Sequence, residues 1–163
     1  MLNLMRILRG ARLFAVLAAA LAISACANNA NNPLGGAGAQ ATPGSQQDFV
    51  VNVGDRVFFS TDSSDLSPQA RQTLDKQAQW LTQYSQYTFT IEGNADERGT
   101  REYNLALGAR RAQVVRDYLV SRGIAANRMN TISYGKERPV ATCDDISCWS
   151  QNRRAVTALH ASS

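Results

Sequence analysis

Polar and charged side chains that could hold a small zwitterion cluster between Gly93 and Ala112. Asp96 follows directly after a predicted strand, and Leu107 and Arg111 lie four residues apart on a predicted helix, so these two share one helix face. That face lies about 100° or more from the apolar stripe of the same helix. A carboxylate can bind an ammonium group, and an arginine can hold a carboxylate through two parallel hydrogen bonds. Asp96 and Arg111 are therefore predicted to flank a ligand; the alternative is a structural pair that braces the loop against the helix.

Catalysis, metal binding and nucleic-acid binding are weakly supported. Four loop acids could serve a two-carboxylate hydrolase: Asp62, Asp65, Asp96 and Glu97. However, the chain has no nucleophile motif, and its one histidine, His160, lies near the terminus. Of 17 basic residues, three are Arg6, Arg9 and Arg12, which leaves 14 basic against 13 acidic residues in the remainder. We therefore expect a binding protein with no catalytic residue, no metal, no cofactor and no nucleic-acid partner.

Residues 1–25 are typical of an export leader. A basic start is followed by the 11-residue apolar run Leu13–Ile23, which is too short to span a bilayer. The run ends in Ile23-Ser24-Ala25-Cys26, which resembles a bacterial lipobox. In such proteins the cysteine is lipid-modified and becomes the first mature residue. An ordinary signal peptide with an incidental cysteine remains the alternative.

The next segment is predicted to be a disordered tether. Residues 27–47 carry no charge, and Leu34 is their only bulky side chain, so they cannot bury enough apolar area to offset the entropy of ordering. The expected organisation is a leader at 1–25, a lipidated Cys26 and tether at 26–47, and a domain at 48–163. Cys143 and Cys148 remain after export; we expect a local disulfide, with free thiols or part of a metal site as alternatives.

The domain alternates between strand and helix patterns. The predicted elements are an extended segment Phe49–Val53, a strand Arg56–Phe59, a helix from Pro68 to about Tyr84, a strand Tyr87–Gly93, a helix Tyr103–Arg122, and strands Met129–Tyr134 and Arg154–Leu159. The last strand follows a loop and is expected to pair antiparallel. This order predicts an α+β sandwich, β-α-β-α-β-β, with helices packed on a mixed parallel and antiparallel sheet.

Several stretches together resemble the OmpA-like C-terminal domain family. They are Gly93-Asn94-Ala95-Asp96-Glu97-Arg98-Gly99-Thr100-Arg101-Glu102-Tyr103-Asn104, Leu107 with Arg110-Arg111-Ala112, Ser133-Tyr134-Gly135-Lys136 and Asn152-Arg153-Arg154. The resemblance runs from about Val57 to Val156, and the lipobox and tether are similar to those of the family's lipoproteins.

The resemblance implies non-covalent binding of peptidoglycan through the diaminopimelate of its stem peptide. The family's ligand-binding residues fall on Asp62, Asp96, Arg98, Leu107 and Arg111, and its supporting positions on Asn94, Asn104 and Arg110. Asn94 stands where the family often has histidine, Ser60 replaces an acid, and Thr61 replaces an aromatic residue that would thicken the apolar wall.

The same resemblance implies a place in the cell envelope. Residue 27 is alanine rather than the aspartate that retains many lipoproteins in the inner membrane, so an outer-membrane anchor is expected, with the domain facing the periplasm. TolB and other Tol proteins are the implied partners. Two rivals remain: a cell-wall hydrolase, and a motor stator or porin, whose membrane-embedded part would not fit in residues 1–47.

Overall fold

The computed structural model describes residues 41–160, which form four α-helices, a π-helical turn, a 3₁₀ turn and a four-stranded sheet. The elements are α1 (Gln46–Asp48), a π-helical turn (Phe49–Gly54), β1 (Arg56–Phe58), α2 (Pro68–Gln83), β2 (Thr88–Asn94), α3 (Arg101–Ser121), a 3₁₀ turn (Ala126–Arg128), β3 (Met129–Gly135), α4 (Ile146–Asn152) and β4 (Arg154–His160). The predicted leader and Cys26 lie outside the described residues.

The sheet has the order β1-β4-β2-β3 and confirms the predicted α+β class. β2 and β3 pair in parallel, while β4 runs antiparallel to both β1 and β2, as expected for the last strand. Four short elements were not predicted: α1, the π-helical turn, the 3₁₀ turn and α4. The antiparallel pairing places the chain that enters β4 beside the chains that leave β1 and β2.

Helix α2 begins and packs as its sequence predicts. The Ser67 side chain accepts a hydrogen bond from the Ala70 amide at 3.1 Å, and Pro68 occupies the first turn. The predicted apolar face is buried: Ala70, Leu74, Ala78 and Leu81.

The predicted extended segment at Phe49–Val53 is wrong. These residues lie in the π-helical turn Phe49–Gly54, and the Phe49 side chain is fully buried, with its ring 4.9 Å from that of Trp80. Burial of this aromatic ring against α2 outweighs the extended preference of the valines around it.

Helix α3 runs from Arg101 to Ser121, close to its predicted bounds. It begins at a Thr100 cap and ends before Gly123, whose φ of 90° suits glycine. Its buried face is wider than the apolar stripe and includes the polar side chains of Asn104 and Arg111. Leu105, which the apolar pattern assigns to the core, is only partly buried. Hydrophobic periodicity underestimates this face because part of what it buries is polar.

The tether prediction is wrong for residues 42–47. The Gly44 amide donates to the Asp48 carboxylate at 2.9 Å, and its carbonyl accepts from the Tyr87 hydroxyl at 2.8 Å. The Gln46 side chain also donates to the Leu159 carbonyl at 3.2 Å. Two of these contacts are with residues distant in the chain. They hold in place a polar segment whose own side chains bury too little apolar area to order it.

A disulfide joins Cys143 and Cys148 in the connection between β3 and α4. Its second cysteine lies within α4, whose first turn is capped by the Asp145 side chain. In the described part of the chain, 41–160, no helix is both long and apolar enough to cross a bilayer.

Candidate ligand-binding cleft

Three loops meet at one end of the sheet because of the strand pairing. Phe58 pairs with Arg154 and Gly93 with Ala155, so the segments that follow β1 and β2 both lie next to Arg153. The Phe59 amide donates to the Arg153 carbonyl at 2.9 Å. The sheet thereby brings together residues near positions 60, 96 and 153.

A close contact between two backbones sets α3 against this end of the sheet. A Cβ atom added to Gly93 on β2 would collide with the carbonyl oxygen of Gly108 on α3. The absence of side chains at both positions therefore lets the helix approach the strand closely. The Ser133 hydroxyl on β3 also donates to the Leu105 carbonyl at 2.7 Å. The first turns of α3 are thus held over the loop that carries Asp96.

A cleft of about 260 Å³ opens between the loop after β1, the loop after β2 and the start of α3. It contains four of the five predicted ligand-binding residues, and its lining is Thr61, Asp62, Asp96, Arg98, Gly99, Tyr103, Asn104 and Leu107. Leu107 is 4% exposed and contributes an apolar side chain to this otherwise polar site.

The Asp96 carboxylate is already occupied by two arginines. One oxygen accepts from the Arg98 amide at 3.2 Å and Nε at 3.1 Å, and the other from Arg98 Nη2 at 2.8 Å and Arg153 Nη1 at 3.3 Å. A carboxylate has about four acceptor sites, so these bonds saturate it. Asp96 therefore holds the Arg98 guanidinium in place. A ligand ammonium group could bind the Asp96 carboxylate only by displacing one of these donors.

The charge state of Asp96 follows from these contacts. Burial raises the pKa of Asp96, but hydrogen bonds from Arg98 and Arg153 outweigh this effect and hold the pKa below its ordinary value. The hydrogen bond to Asp96 raises the pKa of Arg98. Both groups are consequently charged at neutral pH.

Arg111 is placed differently from the sequence-based prediction. Its side chain is 0% exposed and does not line the cleft. Its guanidinium donates to three backbone carbonyls, Ser63 at 2.9 Å, Asn94 at 2.8 Å and Ser60 at 3.0 Å. Burial lowers the pKa of Arg111 to about 10, so it remains a cation at neutral pH. It braces both loops against α3, which was the alternative open at the sequence level, although its partners are carbonyls rather than Asp96.

Asp62 presents the more available carboxylate in the cleft. It is exposed and adopts a left-handed backbone conformation with φ of 56°, which aspartate tolerates better than most residues. The Tyr103 hydroxyl, across the cleft on α3, donates to one Asp62 oxygen. The other oxygen has no hydrogen-bond donor within residues 41–160 and can accept from a ligand.

The three predicted supporting residues differ in position. Asn104 is buried and donates to the Arg98 carbonyl at 2.8 Å, which stabilises the loop after β2. Asn94 is buried, and its carbonyl accepts from Arg111. Arg110 is exposed, and its side chain makes no hydrogen bond or ion pair within the described chain, so the geometry gives it no supporting contact.

Three contributors were not assigned to the site from the sequence: Tyr103, Trp149 and Arg153. Arg153, 7% exposed, binds the Phe59 carbonyl at 3.0 Å and the Asp96 carboxylate. Trp149 contacts Arg98 and Glu97. The motif Asn152-Arg153-Arg154 was the one available signal for Arg153, whereas Trp149 had none because α4 was not predicted.

Lys136, the residue directly after β3, holds the rim of the cleft. Its ammonium group donates to the Glu97 carbonyl at 3.1 Å and the Gly99 carbonyl at 2.7 Å. Within residues 41–160, no group of three or more His, Cys, Asp or Glu side chains could hold a metal ion.

Residues 58–153 of this chain match the OmpA family. The chain belongs to the OmpA family. It is 70% identical over 145 residues to the peptidoglycan-associated lipoprotein of Rhizobium meliloti (strain 1021), which covers 85% of this chain and 82% of the relative. It is 67% identical over 147 residues to the peptidoglycan-associated lipoprotein of Agrobacterium fabrum, covering 86% and 82%. These relatives group it with the family's peptidoglycan-associated lipoproteins.

A solved member of the OmpA family has the same fold. The crystal structure of the peptidoglycan-associated lipoprotein from Burkholderia pseudomallei superposes with a TM-score of 0.63 at 43% identity, covering 65% of this chain and 90% of that one.

Proposed function

We propose that this chain binds peptidoglycan non-covalently and that the cleft takes the zwitterionic end of the diaminopimelate side chain. One observation carries the proposal: a single cleft of about 260 Å³ combines an available carboxylate, a guanidinium and an apolar side chain. A zwitterion with a short aliphatic stem needs these three partners. Membership of the OmpA family and the names of the relatives support peptidoglycan as the source of that zwitterion.

The proposed division of labour follows the accessibility of each group. Asp62 accepts from the ligand ammonium group, Arg98 donates to its carboxylate, and Leu107 contacts its methylene groups. Asp96 orients Arg98, and Arg111 holds the two loops that carry Asp62 and Asp96 at the correct separation.

The cleft is better suited to binding than to hydrolysis. A two-carboxylate hydrolase needs one carboxyl group with a raised pKa that can act as an acid. Hydrogen bonds from two arginines instead lower the pKa of Asp96, despite its burial.

Co-sedimentation tests the proposal. A fragment of residues 41–163, which retains the ordered segment at Gly44, is mixed with purified sacculi and centrifuged. Binding predicts that the fragment pellets, that free diaminopimelate releases it and that no soluble muropeptides appear. Release of fragments would support the hydrolase instead, and a protein that stays in the supernatant would contradict both.

Asp62→Asn is expected to weaken binding to sacculi by about tenfold, since a charged hydrogen bond to the ligand becomes a neutral one. Asparagine tolerates the left-handed backbone at this position, so the fold should be retained. Asp65→Asn, in the same loop but outside the cleft, is the matched control and should bind like the wild type. Equal binding by both variants would remove Asp62 from the site.

We further propose that the chain tethers the outer membrane to the cell wall as part of the Tol–Pal system, with roles in envelope integrity and cell division. The lipobox at Cys26, the Ala27 that follows it and the names of the relatives support this role. Residues 1–25 would act as the lipoprotein signal peptide, and the segment after Cys26 would link the anchor to the domain. TolB and other Tol proteins are the partners this role requires.

Cys26→Ser is expected to release the protein from the outer-membrane fraction, because a hydroxyl cannot form the thioether that carries the acyl chain. Cell fractionation with detergent partitioning measures this, in cells lacking other copies of the protein. Cys143→Ser with Cys148→Ser is the control and should stay membrane-bound. A Cys26→Ser protein that still partitions with the outer membrane would contradict lipid anchoring at this residue.

A further inference from the structure

We propose that Trp149 is a positioning residue that holds Arg98 in the orientation needed to bind a ligand carboxylate. The proposal rests on the function proposed above and extends it to α4, an element outside the loops that line the cleft. The contact with Trp149 is what keeps this exposed arginine oriented toward a ligand carboxylate.

Arg98 is held from two sides. Its guanidinium carbon lies 4.2 Å from the centroid of the Trp149 ring, and its Nε and Nη2 atoms donate to Asp96. The side chain is 40% exposed, and an arginine on a loop at this exposure would otherwise sample several rotamers. Asp96 fixes one edge of the guanidinium and the indole supports one face. Nη2 also donates to the Thr61 hydroxyl at 3.4 Å, which leaves the N–H groups of Nη1 for a ligand.

Trp149 is itself fixed by neighbours on both sides. Its indole N–H donates to the Glu97 carboxylate at 2.7 Å, next to Arg98 in the chain. Cys148, directly before Trp149, is buried and joined to Cys143 by the disulfide. The disulfide and Glu97 together restrict the ring on which Arg98 rests.

A second cation–π pair, where β3 leads into the connection to α4, provides a matched control away from the cleft. Arg138 lies over the ring of Tyr134, with its guanidinium carbon 3.5 Å from the centroid. Neither residue lines the cleft. Removing this second cation–π contact should therefore change stability without changing recognition.

The experiment measures the affinity of the full chain, in detergent micelles, for two soluble muropeptides by calorimetry. One carries the free diaminopimelate carboxylate, and in the other that carboxylate is amidated. Trp149→Leu is expected to bind the free carboxylate about fivefold more weakly, the size of an exposed to partly buried cation–π contact. It should bind the amidated muropeptide like the wild type. Trp149→Phe should recover most of the affinity, and Tyr134→Leu should bind both muropeptides like the wild type.

The double variant with Arg98→Ala distinguishes a positioning role of Trp149 from a general effect of Trp149 on stability. In an Arg98→Ala background, Trp149→Leu should cause no further loss, since there is no guanidinium left to position. An equal loss in both backgrounds, or an equal loss for both muropeptides, would overturn the proposal, as would unchanged affinity in Trp149→Leu.

A measurement without ligand keeps this inference distinct from the proposed function. The Arg98 Nε–Hε signal should be shifted upfield by the Trp149 ring current in the wild type and should return to its ordinary position in Trp149→Leu. If the wild type binds neither muropeptide, the proposed function fails, and this signal alone then decides whether Trp149 positions Arg98. No difference between the two spectra would overturn the positioning role whatever the binding data.

Discussion

Arg111→Ala is expected to lower the free energy of unfolding by about 3 kcal/mol or more, because three backbone carbonyl groups, one buried and two partly buried, lose their donor and a cavity opens. The carbonyls belong to Ser60 and Ser63, on the loop after β1, and to Asn94, the last residue of β2 before the second loop of the cleft. For a domain of this size the melting temperature should fall by about 10 °C or more. Binding to sacculi should be lost along with the loop structure. This differs from what the predicted ligand-flanking role of Arg111 would give, which is a loss of binding without a loss of stability.

Arg110→Ala is the matched control for this measurement. Arg110 precedes Arg111 on α3 but is exposed, so its loss should change stability by about 0.5 kcal/mol or less. Thermal melts of both variants and the wild type check the expectation. Arg111→Lys should recover only part of the loss, since an ammonium group cannot donate in a planar fork. If Arg111→Ala melts like the wild type, the bracing role is refuted.

Asp96→Ala is expected to weaken peptidoglycan binding by about 100-fold, since Arg98 loses charge-assisted hydrogen bonds that orient it and the cleft loses a negative charge. The melting temperature should fall much less than in Arg111→Ala, because Arg153 keeps its bond to the Phe59 carbonyl. Sacculus pull-downs and melts on the same preparations separate the two effects. Wild-type binding by a folded Asp96→Ala protein would contradict the site assignment.

The contribution of Asp96 to stability should depend on pH in a defined direction. Its folded pKa is lowered below the ordinary value of 3.8, so its ion pairs stabilise the fold fully above that value. This stability is lost as the pH falls through the folded pKa. The difference in unfolding free energy between the wild type and Asp96→Asn should therefore be constant from about pH 8 to pH 5 and shrink below about pH 4.

The site has two layers, and Arg111→Ala and Asp96→Ala both remove residues of the layer that positions the other. Asp62, Arg98 and Leu107 border the space for a ligand. Asp96 and Arg111 hold those ligand-contacting residues and their loops in place. A binding assay alone would report loss in both layers. Stability, coupling and ligand discrimination are needed to tell direct contact from positioning.

The sequence by itself determined the elements whose signals are local. The Ser67-Pro68 start of α2, the end of α3 before Gly123 and the alternation along β2 depend on neighbours within a few residues, and the structure follows them. The motif from Asn94 to Ala112 also covers the loop and the start of the helix that together carry most of the lining of the cleft. The sequence likewise marked Asp62 and Arg98 by resemblance.

Only the tertiary structure decided what each charged side chain in that region contacts. Helical spacing shows that Leu107 and Arg111 share a face, but it cannot show that Ser60 and Ser63, about fifty positions earlier, cover that face at Arg111. One of the four hydrogen bonds that saturate Asp96 likewise comes from Arg153, which lies 57 positions later in the chain. Whether a charged group meets ligand or backbone depends on the elements that fold over it, because hydrogen bonds form only between groups that packing has brought within about 3 Å.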